Sequence, residues 1–122
     1  MHEALEQFMN AINTGDINEF IKFLNEKVVF YYGKETISGL DEIKKCYEEG
    51  AEVLKEEKYW PSDINIIHTT DNLLVCTYQF NYNGYISGKF VEGHGRASNI
   101  FIKSEKTNQW ELLHEYRDTY SF

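Results

Sequence analysis

"GRASNIFIK" (residues 95–103) and "WELLHEYRD" (residues 110–118) are rich in strand-forming residues, and the way they pair decides the fold. Neighbouring residues of a strand point to opposite faces, so one shift of register exchanges the wet and dry sides. The second run mixes Trp110, Leu112 and Leu113 with His114, Glu115, Arg117 and Asp118. Hydrophobic patterning alone turns Trp110, Leu112 and Tyr116 inward and leaves Glu111, Glu115 and Arg117 as a solvated face.

Upstream, further strands are expected at Ile64 to His68, Leu73 to Tyr82 and roughly Phe90 to Lys103, with the last from Trp110 to Tyr120. A Thr-Thr-Asp-Asn turn follows His68, and an Asn-Gly turn falls at Asn83 and Gly84. Pro61 marks the point where this antiparallel meander begins. Before it the periodicity is helical. Leu5, Phe8, Met9 and Ile12 share a helix face closed by Thr14 and Gly15. Asp16 caps a second helix, with Glu19 as its reciprocal partner and Ile17, Phe20, Ile21 and Leu24 as its apolar face. Val28 to Tyr32 form a short buried strand ended by Gly33, and a third helix follows Ser38 and Gly39 with Leu40, Ile43, Tyr47, Ala51 and Leu54 on one side. Helices first and a meander second describe an α+β fold with helices on one face of a curved sheet.

The chain has 122 residues, the size of one domain spanning 1–122. Its aromatic fraction of 16%, with nine Tyr and eight Phe, fits a lined cavity or a sticky interface, although aromatic core packing alone also accounts for it. A net charge of −8, spread along the chain, repels a nucleic-acid backbone. Cys46 and Cys76 form no C-x-x-C pair and read as buried free thiols of a reducing compartment. The opening MHEALEQFMNAINTGD carries acids and no long apolar run, so no signal peptide or membrane span is expected and the location is cytoplasmic.

The segments "EQFMNAINTGDINEF", "SGLDEIKKCY", "FNYNG" and "GRASNIFIK" leading to "WELLHEYRD" resemble, in order and spacing, the nuclear transport factor 2-like superfamily. Within it the chain is most similar to SnoaL-like and ketosteroid-isomerase-like proteins and to the association domain of calmodulin-dependent protein kinase II. The resemblance implies a cone-shaped, cystatin-like fold: a strongly curved antiparallel sheet closed by three helices around a cavity. It also implies a homodimer through the outer sheet face. Because this fold hosts enzymes, binding proteins and oligomerisation modules, the cavity residues must decide the function.

Isomerase chemistry of the ketosteroid kind needs a carboxylate base and two acidic donors. The matching positions here hold Phe8, the carboxylate-free run Val28 to Tyr32, and Ser98 or Asn99, so those roles are vacant. No His and Asp pair matching the dehydratase members is placed. Arg117, counted from Trp110, matches a cavity-facing arginine of the kinase association domain, whose other arginines are replaced by Tyr78 and Asn99. That match puts Leu113, Glu115 and Arg117 on the concave face and turns Leu112, His114, Tyr116 and Asp118 outward. Alternation on the preceding strands adds Cys76, Tyr78 and Phe80, then Asn99 and Phe101. Tyr47, Trp60 and one or both of Tyr31 and Tyr32 complete the lining.

Glu115 and Arg117 are close enough to pair, and the arginine should lower the carboxylate's pKa. Such a pair suits a polar ligand group or a structural ion pair. His68, His94 and His114 with Glu115 evoke a metal set, but His114 and Glu115 point to opposite faces, so neither metal nor cofactor is expected. "GHGRAS" enters a strand, not a helix, and makes no phosphate cradle; Gly93 and Gly95 permit a bulge or close contact, and Arg96 shares the outer face with His94 and Ser98, near Asp118.

The chain is therefore expected to bind a small, largely apolar molecule with one polar or anionic end, lined by Tyr47, Trp60, Tyr78, Phe80, Asn99, Phe101, Leu113, Glu115 and Arg117. The alternatives are an enzyme of the cyclase, isomerase or dehydratase kind with an unidentified acid-base set, and a structural homo-oligomerisation module.

Overall fold

His2 opens the first helix, α1 (Glu3–Asn13), by accepting the Ala4 N–H on its ring Nδ1 at 3.0 Å. Asp16 opens the second, α2 (Ile17–Ile21), by accepting the Asn18 N–H at 2.9 Å. The helix does not run on to Leu24 as the apolar spacing predicts. The Leu112 N–H donates to the Phe23 carbonyl at 2.8 Å, so the last strand captures this backbone and Leu24 begins a strand.

The computed structural model describes residues 1–119, and Tyr120, the expected end of the last strand, lies outside them. After α2 come β1 (Leu24–Tyr32), β2 (Glu35–Ser38), α3 (Leu40–Val53), β3 (Lys55–Thr69), β4 (Leu73–Ile86), β5 (Lys89–Lys103) and β6 (Trp110–Thr119). The strands form one curved, unclosed sheet in the order β2-β1-β6-β5-β4-β3. β1 and β6 run parallel and every other neighbouring pair is antiparallel, so the sheet is mixed.

Three further boundaries differ from the sequence expectation. β2 was not expected; the Gly33 turn, at φ 60°, folds the chain back against β1. β3 contains Pro61 instead of following it, because β3 is an edge strand where a missing N–H is tolerated. The β4–β5 turn lies at Ser87 and Gly88, with φ of 51° and 77°, and not at Asn83 and Gly84. Gly84 serves a different purpose: a Cβ there would stand 2.8 Å from the Leu54 side chain and from the Lys55 carbonyl, where the end of α3 crosses the strand.

The concave face of the sheet holds the core. Leu74, Cys76, Tyr78 and Phe80 of β4 are buried, as are Gly95, Ala97, Asn99 and Phe101 of β5. α1 lays Ala4, Leu5, Phe8 and Met9 on them, with the Phe8 ring 5.6 Å from Phe101 and 5.8 Å from Phe20.

β6 carries the decisive irregularity. Ile100 pairs with His114 and Phe101 with Leu112, so Leu113 is an extra residue bulged out of the ladder. Trp110 and Leu112 are buried on one side of the bulge, and on the other side Glu115 is buried while Arg117 faces inward with it. Each sequence assignment is thus half correct: patterning places Trp110 and Leu112, and the resemblance places Glu115 and Arg117. Leu112, assigned outward, is in the core, and Leu113, assigned to the cavity, is half-buried at the bulge.

At Gly95 a Cβ would lie 2.6 Å from the Phe80 ring and would collide with the Asp118 carbonyl. Gly95→Ala should lower unfolding stability by roughly 2 kcal/mol or more, whereas Gly50→Ala, in α3 with open space around its Cβ, should raise it by roughly 0.5–1 kcal/mol. Urea denaturation of both variants checks the pair.

Candidate functional site

The open end of the cone is a cavity of about 690 Å³ between the helices and the sheet. Its walls come from the α1–α2 turn, Phe20, the inner side of α3 with Cys46 and Tyr47, and the start of β3 with Glu56, Glu57 and Tyr59. Tyr32 and Arg117 lie at its sheet side. Tyr32 is the inward member of its pair; Tyr31 is exposed on the outer face, with its ring 5.0 Å from that of His114.

Arg117 is held by aromatic faces. Its guanidinium carbon lies 4.3 Å from the Tyr32 ring centre, 5.1 Å from Phe80 and 5.9 Å from Tyr59. Nη1 donates to the Tyr59 hydroxyl at 3.4 Å. Tyr59 is itself fixed from two sides: its ring stacks on Phe80 at 5.8 Å, and its backbone exchanges two hydrogen bonds with the Asn13 side chain, at 2.7 and 2.8 Å. The hydroxyls of Tyr32 and Tyr47 lie 3.0 Å apart and share a hydrogen bond.

Among the described residues no carboxylate forms an ion pair with Arg117. Burial opposes its charge, but the surrounding Tyr32, Tyr59 and Glu115 outweigh that and hold its pKa well above the ordinary value. Arg117 is therefore a permanent cation with donors to spare. Burial raises the phenols of Tyr32, Tyr47, Tyr59 and Tyr78, which stay protonated as neutral donors.

Glu115 overturns the expected pKa direction. Burial pushes its carboxyl up to about 7, and the nearby Arg117 cation offsets only part of that. Desolvation prevails because the carboxyl is fully buried and neither oxygen has a hydrogen-bond partner among the described residues.

The predicted lining divides into four groups. Tyr47 and Arg117 line the cavity. Tyr78, Phe80, Asn99, Phe101 and Glu115 lie deeper, buried beneath the cavity instead of lining it. Trp60 is 44% exposed beside a hollow next to Lys58 that adjoins the cavity and shares Asn13, Glu56, Glu57 and Tyr59 with it, so it stands at the rim and not inside. Leu113 is displaced by the bulge described above. Tyr59 and Asn13 were missed, because Tyr59 precedes Pro61 in a segment read as lying before the sheet. His68, His94 and His114 sit on three different strands, with His114 Nδ1 2.8 Å from the Val29 carbonyl.

Glu115 sets a pH dependence. Its folded pKa exceeds the usual carboxylate value, so the folded state holds the proton more tightly. Its contribution is fully present at acid pH and is lost as pH rises from the ordinary carboxylate range through about 7. Chemical denaturation across that window should show stability falling, and Glu115→Gln should flatten the fall.

Comparison with known proteins gives this geometry its relatives. The fold matches a nuclear transport factor 2-like protein from Salmonella enterica serovar Typhimurium at a TM-score of 0.81 and 16% identity, covering 98% of this chain and 88% of that one. A ketosteroid isomerase-like protein from Erwinia carotovora matches at 0.75 and 18%, covering 98% and 92%. A proposed dehydratase from Streptomyces avermitilis matches at 0.80 and 18%, again covering 98% and 92%. No curated protein sequence matches. At these identities the structures establish the nuclear transport factor 2-like fold alone. The family model described as SnoaL-like domain matches residues 1–116, nearly the whole chain, and the protein belongs to that family.

Proposed function

We propose that this protein binds a small, largely apolar molecule whose polar or anionic end is held by Arg117 in the helix-capped cavity. The observation that carries this reading is the guanidinium at the sheet side of the cavity, pinned by aromatic rings and one phenol with no carboxylate paired to it among the described residues. An anion can take two parallel hydrogen bonds from such a group, and the rings offer the ligand's apolar body a surface.

A second reading, an enzyme of the dehydratase, cyclase or isomerase kind, draws support from Glu115. A buried carboxyl with a pKa near 7 is what proton transfer at neutral pH requires, and Glu115 stands two residues from Arg117 on the same inner face.

The proposal includes a homodimer through the outer sheet face. Supporting it, adjacent rows there align Val75, Ile100 and His114, then Thr77, Ser98, Tyr116 and Tyr31, with both tyrosines exposed. A reducing, cytoplasmic location accords with the free thiols of Cys46 and Cys76; burial pushes Cys76 up to about 12. No helix among the described residues is long and apolar enough to cross a membrane.

Anilinonaphthalene sulfonate, an aromatic anion, tests the leading reading by fluorescence titration. Arg117→Ala should weaken its binding by about tenfold or more, ~1.4 kcal/mol, with Arg117→Lys intermediate. Unchanged affinity in Arg117→Ala removes Arg117 from the site.

A further inference from the structure

Five buried polar atoms under the cavity have no hydrogen-bond partner among the described residues: the Tyr78 hydroxyl, both amide atoms of Asn99 and both carboxyl oxygens of Glu115. They belong to one place. The sheet register aligns Cys76, Asn99 and Glu115 in one row across β4, β5 and β6, and aligns Tyr78, Ala97 and Arg117 in the next. Asn99 and Glu115 therefore stand side by side on the concave face. Tyr78 lies one row nearer the mouth, and only the Ala97 methyl occupies the strand position between it and Arg117.

We propose that Tyr78, Asn99 and Glu115 form an inner polar subsite beneath Arg117 that takes a neutral hydroxyl or carbonyl oxygen at the leading end of an aromatic ligand. The inference rests on the cavity-binding reading and adds a deeper subsite to it. Unpaired buried polar groups cost stability that an apolar side chain of similar size does not, so the polar row is a folding liability at the base of a binding cavity. All three side chains can both donate and accept when Glu115 is protonated, which matches a hydroxyl or carbonyl oxygen. A carboxylate at that depth would give up its hydration away from direct contact with the Arg117 cation, so an anionic end stays one row nearer the mouth. Arg117 stands in the next row toward the mouth, and among the described residues ring faces and one 3.4 Å hydrogen bond hold it with no ion pair, so its side chain can lift to admit the ligand.

Phenol and benzoate separate the two levels. Binding of each is measured by NMR titration to the wild type and to Arg117→Ala, Asn99→Leu, Glu115→Met and the isosteric Glu115→Gln, alongside thermal melts. The proposal expects phenol affinity to fall about tenfold or more in Asn99→Leu and Glu115→Met, to survive Arg117→Ala, and to be altered in Glu115→Gln. It expects both apolar variants to melt higher than the wild type. Benzoate should lose affinity in Arg117→Ala and keep it in the Asn99 and Glu115 variants. Should an apolar variant fail to fold, Glu115→Gln decides. Phenol that ignores every Asn99 and Glu115 change, or that fails to bind while benzoate binds, overturns the inner subsite and leaves the Arg117 site standing. Failure of both probes overturns both.

Discussion

A single extra residue in the last strand governs the interior. Without the bulge at Leu113, strict alternation from Leu112 would send His114 and Tyr116 inward and put Glu115 and Arg117 into solvent. With it, one strand performs two jobs. Its first half, Trp110 and Leu112, seals the narrow end of the cone against α1, where the His2 ring meets Trp110 edge-on at 5.2 Å. Its second half carries an acid and a base toward the wide end. The helices need only cover what that strand presents.

The polarity of the interior then follows from competition between burial and charge. Arg117 keeps its cation because ring faces and hydroxyls surround it, an environment that suits a weakly hydrated planar ion. Glu115, two residues deeper, gains no direct bond from that cation, so loss of water dominates and favours its neutral form. The two groups share a strand face yet do not neutralise one another. Arg117 therefore remains a positive centre at the sheet side of the cavity when Glu115 is protonated, facing walls that carry Glu56 and Glu57, within a chain whose overall charge is −8.

The order of elements was legible in the sequence because helical spacing and strand alternation are local signals. Leu5, Phe8 and Met9 do lie on the buried face of α1, and Leu74 to Phe80 alternate as expected. Pairing is not local, and that is where the reading stopped. Asn83-Gly84 has the composition of a hairpin turn, but the approach of Leu54 explains its glycine, while the actual turn has Ser87 with a positive φ. The bulge at Leu113 exists only relative to the partners β5 and β1, so no pattern within "WELLHEYRD" reveals it. At the site, Arg117 follows only from the family resemblance, since strand patterning alone leaves it in solvent, whereas Tyr47 could be assigned from its helix face. The depth at which Tyr78, Asn99 and Phe101 lie could not, since it depends on how far Phe8, Phe30 and Phe80 fill the cone.

The clasp between Asn13 and Tyr59 has a mechanical meaning. The Asn13 side chain takes the place of a neighbouring strand at that point of the sheet edge, and the phenol of the same Tyr59 accepts from Arg117. The end of α1, the edge strand and the cation at the cavity's sheet side are thereby strung on one thread. A tug on the cation is felt at the rim, so the helical cover and the floor of the cone move as linked parts and not as a loose cap over a fixed bowl.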